Sequence, residues 1–188
     1  RASHQTRPAT NIEVVDRVNV WTRVRYRVTQ FVQWIRDSMR PVDHRYVEKR
    51  LPDPALQALF DAMPRADQNH GITVARVLER RGWHDPHLLG AALLHDVGKT
   101  CVPVSVWARV MVVLGEWLMP QTAARWSRGE ARGLGRPFVV RRSHARWGAE
   151  MAREAGAPVE TVALIRRHHE SPDGNAALAA LHEADEKL

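Results

Sequence analysis

Leu88-Leu89-Gly90-Ala91-Ala92-Leu93-Leu94-His95-Asp96-Val97-Gly98-Lys99 is the stretch around which the chain is organised. Asp85 and Pro86 precede it with the character of an N-cap and a first helical turn, and Gly98 follows as a stop. The residues between are apolar on every side, which predicts a helix buried all round. That helix carries His95 and Asp96 at its inner end. A buried ionised carboxylate is costly unless it is paired or bound to a metal. The His-Asp pair is therefore a candidate metal site, and the rest of the chain must supply the other ligands.

Working outward, residues 1–11 are polar, aperiodic and expected to be loose. From Val14 to Met39 a strand-like alternation (Val18, Val20, Thr22, Val24) competes with a helical repeat (Val24, Val28, Phe31, Val32, Ile35). The run is too long for an ordinary strand, so a helix is expected from about Thr22. Asp43 to Arg50 predicts a short helix, and Asp53-Pro54 opens another through Ala62. Asp67 is expected to cap a helix carrying His70, Val74, Val77 and Leu78, ended by Arg81-Gly82. After the His-Asp helix, Val102 to Trp126 has helical apolar spacing and is expected to be a core or lid element. An Arg- and Gly-rich link from Arg125 to Arg136 follows. Phe138 to Ala155 predicts a helix carrying His144. Pro158 opens a helix ending at His168-His169-Glu170. Ser171-Pro172-Asp173-Gly174 is a turn, and Asn175 to Leu188 is a last helix carrying Asp185. With no convincing strand or repeat, the expected class is all-α.

The 188 residues suit one main domain with a real core, expected over 55–188, preceded by a helical extension over 1–54. A single cysteine, Cys101, excludes an internal disulfide, fits a reducing, cytoplasmic setting, and is expected to be a small buried residue. The net charge of +7 comes from arginine, since only Lys49, Lys99 and Lys187 are lysines. With no nucleic-acid motif beside it, this charge implies at most a bias toward anionic small substrates. No signal peptide is legible. The most apolar window, Val102 to Met119, holds Arg109, Glu116 and Pro103 and is too broken for a membrane span. Nothing in the sequence speaks to oligomeric state. Trp107, Trp117, Trp126 and Trp147 are expected to pack in the core or a lid.

Of the ten histidines, His4, His44, His84, His87 and His182 lie outside any pattern. The other five are His70, His95, His144, His168 and His169, joined by Asp96 and Asp185. In chain order they run His, His-Asp, His, His-His, Asp. This order resembles the HD-domain superfamily of metal-dependent phosphohydrolases over about residues 55–188. Asp67-Gln68-Asn69-His70 is similar to its first-ligand helix. His95-Asp96-Val97-Gly98-Lys99 is similar to its signature with trailing Gly-Lys. Ser143-His144-Ala145-Arg146-Trp147-Gly148-Ala149, Arg167-His168-His169-Glu170 and Ala184-Asp185 are similar to the remaining segments. The Gly-Tyr-Pro signature of one cyclic-dinucleotide branch is missing, as Asp173-Gly174-Asn175 runs into alanines. Ala66 stands where some of that branch have a glutamate, so no third metal is expected.

The resemblance implies an HD-like helical bundle with a metal site in its core. His70, His95, Asp96 and Asp185 would hold one divalent cation, and Asp96 would bridge to a second held by His144 and His168. Mixed imidazole and carboxylate donors suit Fe or Mn better than Mg or Ca. Two such cations about 4 Å apart would trap a hydroxide and clamp a phosphoryl oxygen. The implied substrate is an anionic phosphorylated small molecule, such as a nucleotide. Lys99 would stabilise the transition state as a catalytic residue. His169, placed away from His168 on an ideal helix, stands open as ligand, substrate contact or proton donor. Two alternatives share the pattern: a di-iron oxygenase resembling inositol oxygenase, and a non-catalytic metal-binding or sensing module. For Asp185 the bland alternative is a solvated charged tail, and for the Arg-rich link a solvated connection.

Overall fold

The computed structural model describes residues 36–102, 120–128 and 133–186. The helix of the quoted stretch, α4, spans Pro86–Leu94 and starts where Asp85 caps it. The Asp85 carboxylate accepts from the backbone N–H of His87 at 2.7 Å and of Leu88 at 3.1 Å. Leu88 through Leu94 are all buried, most with no exposed surface at all, so α4 is covered on every side.

The other elements pack around it. Three precede it: α1 (His44–Arg50), α2 (Pro54–Asp61) and α3 (Arg65–Arg80). After it come a 3-10 turn, η1 (Val97–Cys101), then α5 (Pro120–Trp126) and a second turn, η2 (Gly133–Gly135). The long α6 (Arg136–Glu154), α7 (Val159–Arg167) and α8 (Ala176–Glu186) complete the bundle. Helices α1, α2, α3, α7 and α8 all touch α4, and α6 packs against α7 and η1. No strand occurs among the described residues, and the class is all-α. Phe60, Leu78, Leu93, Ile165, Leu178 and Leu181 form the centre of one hydrophobic core, which also takes in Tyr46, Val47 and Leu51 from α1 and its end. No described helix is long and apolar enough to cross a membrane.

Several local expectations need correction. Gly98 does not end the helix, because α4 stops at Leu94 and Gly98 lies inside η1. Its purpose is close approach. A Cβ there would collide with the His144 carbonyl oxygen and lie 2.5 Å from the Gly148 nitrogen, so only glycine lets η1 rest on the α6 backbone. Asp67 is not a cap, since α3 begins at Arg65 behind Pro64 and Asp67 sits buried in the first turn. An acid there still favours the helix N-terminus through its dipole. Cys101 is exposed, with its Sγ 3.4 Å from Met151 Sδ. Helix α6 starts at Arg136, so the Arg-rich link is shorter than expected. The helix expected from Thr22 is seen only at 36–39, the lid element only at 102 and 120–126. The remainder of both, with Trp107, Trp117 and residues 129–132, lies outside the described residues.

Candidate metal centre

Five helices, three of them by their C-terminal ends, deliver the polar residues to one place. His95 caps the C-terminus of α4 and Asp96 follows it. His168 caps the C-terminus of α7, His144 lies in α6, His70 in α3 and Asp185 near the end of α8. The side chains of His95, Asp96, His144 and His168 are all buried.

Three of the imidazoles are oriented alike. His95 Nδ1 lies 2.9 Å from the Ala92 carbonyl oxygen, and His168 Nδ1 2.7 Å from that of Ile165. His144 Nδ1 meets the carbonyl oxygens of Val140 at 3.1 Å and Arg141 at 2.9 Å. A carbonyl can only accept, so each ring donates Nδ1–H and presents a lone pair at Nε2. Burial, with Lys99's charge behind it, pushes the His144 pKa down to about 4, and burial beside His95 pushes that of His168 down to about 2. Both rings are therefore neutral at pH 7.

Asp96 lies between the rings. Its Oδ2 is 3.5 Å from His95 Nε2, and its Oδ1 is 3.5 Å from His144 Nε2. Burial opposes its ionisation, but Lys99, His95 and His144 hold its pKa well below the usual carboxylate range. Lys99 Nζ donates to Asp96 Oδ2 at 2.5 Å. On one side, His70 Nε2 meets Asp185 Oδ1 at 2.7 Å, and the same oxygen is 3.6 Å from His95 Nε2. Burial also opposes ionisation of Asp185, which His95 and His70 outweigh, and its pKa is lowered. Burial would lower the pKa of His70, but its bond to Asp185 raises it. On the other side, His169 Nε2 stands 3.0 Å from His144 Nε2. Its ring does not turn away from His168, because α7 ends at Arg167 and the chain bends there, leaving the two rings 4.0 Å apart.

Two ligand-like groups result. Donor atoms of His70, His95 and Asp185 lie within 4.8 Å of one another, and so do those of His144, His168 and His169. The eight residues singled out from the sequence, Lys99 included, thus come together around Asp96. The fit to a cation rests on two atoms: His95 Nε2 and His168 Nε2 are buried with no hydrogen-bond partner. An orphaned buried acceptor is destabilising, and a divalent cation is the partner that inward imidazole lone pairs beside ionised carboxylates suit.

A family model described as HD domain matches residues 68–187, well over half of the chain. The chain belongs to the HD-domain family. HD domains bind divalent metals and are mostly metal-dependent phosphohydrolases. No curated protein and no solved structure matches the chain.

Spacing alone did not single out Gln68 and Asn69, which hold the start of this HD domain in place. Gln68 Nε2 donates to the carbonyl oxygens of Phe60 at 3.0 Å and Asp61 at 3.1 Å, closing the end of α2. Asn69 Nδ2 donates to those of Asp37 at 2.8 Å and Arg40 at 3.1 Å. Their position beside His70 in one polar run was the available signal.

Proposed function

We propose that this HD domain hydrolyses a phosphate ester of a small phosphorylated molecule at a centre of two divalent cations. The observation that carries this is the buried Asp96 carboxylate, with one oxygen 3.5 Å from the orphaned Nε2 of His95 and the other 3.5 Å from His144 Nε2, whose ring lies 5.3 Å from that of His168, the second residue with an orphaned Nε2. His70, His95 and Asp185 would hold one cation, and His144, His168 and His169 the other, with Asp96 shared. His169 is assigned here as a ligand, because its Nε2 lies within ligand reach of the other two rings. Divalent cations at such a site polarise a phosphoryl oxygen and make water nucleophilic near neutral pH.

The chain's own residues do the rest. The carbonyl bonds fix each ring so that its lone pair points inward before any ligand arrives. Lys99, about a quarter exposed where Asp96 is buried, reaches from the solvent edge to the centre. Its ammonium can donate to a phosphoryl oxygen as negative charge builds there. Imidazole and carboxylate donors favour Fe or Mn.

The test is turnover of p-nitrophenyl phosphate and bis(p-nitrophenyl) phosphate by protein loaded with Mn or Fe(II). Metal-dependent release of nitrophenolate, lost on chelation and restored by metal, is expected. Metal-loaded protein that releases none, while consuming oxygen or doing nothing on a broad panel of phosphate esters, would overturn the proposal.

A further inference from the structure

Lys99 follows Asp96 by three residues, across the tight turn η1 that Asp96 opens. In such a turn the side chains of residues three apart lie one above the other. The Lys99 N–H donates to the Asp96 carbonyl oxygen at 2.9 Å, and Thr100 Oγ1 donates to that of Val97 at 2.6 Å. Gly98 rests on the α6 backbone, so η1 has little room to shift. The part that can move is the four-carbon stem of Lys99, which runs from the solvent edge to the buried carboxylate.

The ammonium takes a particular oxygen. Lys99 Nζ donates to Asp96 Oδ2, and Oδ2 is also the oxygen that faces the orphaned Nε2 of His95. Oδ1 faces His144 instead. A cation held with His95 therefore calls on the oxygen that the ammonium holds. Both are positive, and like charges a few ångströms apart repel, most strongly away from water. Unlike the imidazoles, a lysine keeps its charge throughout the neutral range. A buried carboxylate without any partner is costly, so one of the two must serve it.

We propose that Lys99 competes with the divalent cation of the His70, His95 and Asp185 group for Asp96 Oδ2. Lys99 partners this oxygen in the unloaded centre and yields it on loading, when its ammonium turns to the solvent edge and becomes free for the phosphoryl oxygen of the substrate. The lysine thus puts cation binding before anion binding. This rests on the two-cation centre proposed above and adds the order of events. The opposite role, an outer partner that holds Asp96 in place for the cation, would make Lys99 strengthen metal binding about 10–100-fold.

The experiment measures Mn(II) affinity, and thermal unfolding in chelator, for the wild type, Lys99→Met, Lys99→Gln and Lys99→Arg. Lys99→Met should bind Mn(II) roughly tenfold more tightly, because the charge-assisted bond that the wild type must give up is gone. In chelator it should unfold roughly 5 °C lower, with Asp96 buried beside no ammonium. Lys99→Gln keeps a neutral donor and should move both readings the same way with a smaller loss of stability, which guards against a Lys99→Met that fails to fold. Lys99→Arg keeps the charge and should stay close to the wild type on both. On the unaltered protein, acetylation by N-hydroxysuccinimidyl acetate is read by mass spectrometry, with Lys49 and Lys187 as internal references. Mn(II) should raise the rate at Lys99 several-fold against those two. Unchanged or weaker Mn(II) binding in Lys99→Met and Lys99→Gln, or a Lys99 rate that Mn(II) does not alter, would overturn the competition while leaving the two-cation centre standing. A wild type that binds no Mn(II) removes that centre and this inference with it.

Discussion

His95, His144 and His168 each have one ring nitrogen tied to a backbone carbonyl and the other facing inward. The tie is local, three or four residues back along the same helix, so the ring orientation is built in wherever the helix forms. Asp96 is different, because its position depends on tertiary packing and on Lys99. Asp96→Asn keeps the shape but removes the charge set between the two groups. Altering an outer-shell partner typically reduces metal affinity or activity about 10–100-fold, so losing this shared ligand should exceed roughly 100-fold. Elemental content and phosphatase rate, measured on the same preparation, check this. Retention of both would show that Asp96 is no ligand.

At the scale of elements, the contact between η1 and α6 carries the geometry. Gly98 and Gly148 bring two backbones together, and a Cβ at Gly98 would meet backbone atoms that cannot swing aside. Gly98→Ala should therefore destabilise by about 1–3 kcal/mol or more, as overpacking does. Gly148→Ala, whose added atom would be 3.0 Å from the Gly98 nitrogen and 3.2 Å from a Val97 methyl, should be milder. Thermal unfolding of the two variants side by side checks the order. A second link joins α1 to α3, where Glu79 accepts from the Tyr46 hydroxyl at 2.8 Å and from Arg50 Nε at 3.0 Å. Burial raises the Glu79 pKa, but the bonds from Arg50 and Tyr46 outweigh it and the net shift is downward from 4.5. On acidification the unfolded chain takes up this proton first. The stabilisation is thus complete above about pH 4.5 and is lost as pH falls through the lower folded value. Glu79→Gln should lose about 1–3 kcal/mol at neutral pH, as for a hydrogen bond to a charged group. Its urea midpoint should then fall less steeply than the wild type's below pH 4.5. Parallel acid slopes in the two proteins would contradict that.

For the whole molecule, the all-α class and the central helix were legible because an apolar run with Asp85-Pro86 before it has few other solutions. The HD-domain family was legible because ligand-type residues recur in order on separate helices, which no single histidine could have indicated. What escaped the sequence depended on contacts between distant segments. Gly98 looked like a helix stop because close approach to His144 leaves no trace in local sequence. His169 looked misdirected because an ideal helix was extended past Arg167, where the chain turns. The exposure of Cys101 and the α1–α3 link through Glu79 are likewise products of packing.

All of this converges on one measurement: the first-row metal content of the protein purified without added metal and then reconstituted anaerobically with Fe(II) or Mn(II). Two equivalents retained per chain after desalting are predicted, falling below one in Asp96→Asn. One equivalent or none in the wild type, or two that survive the substitution, would contradict a centre built around Asp96.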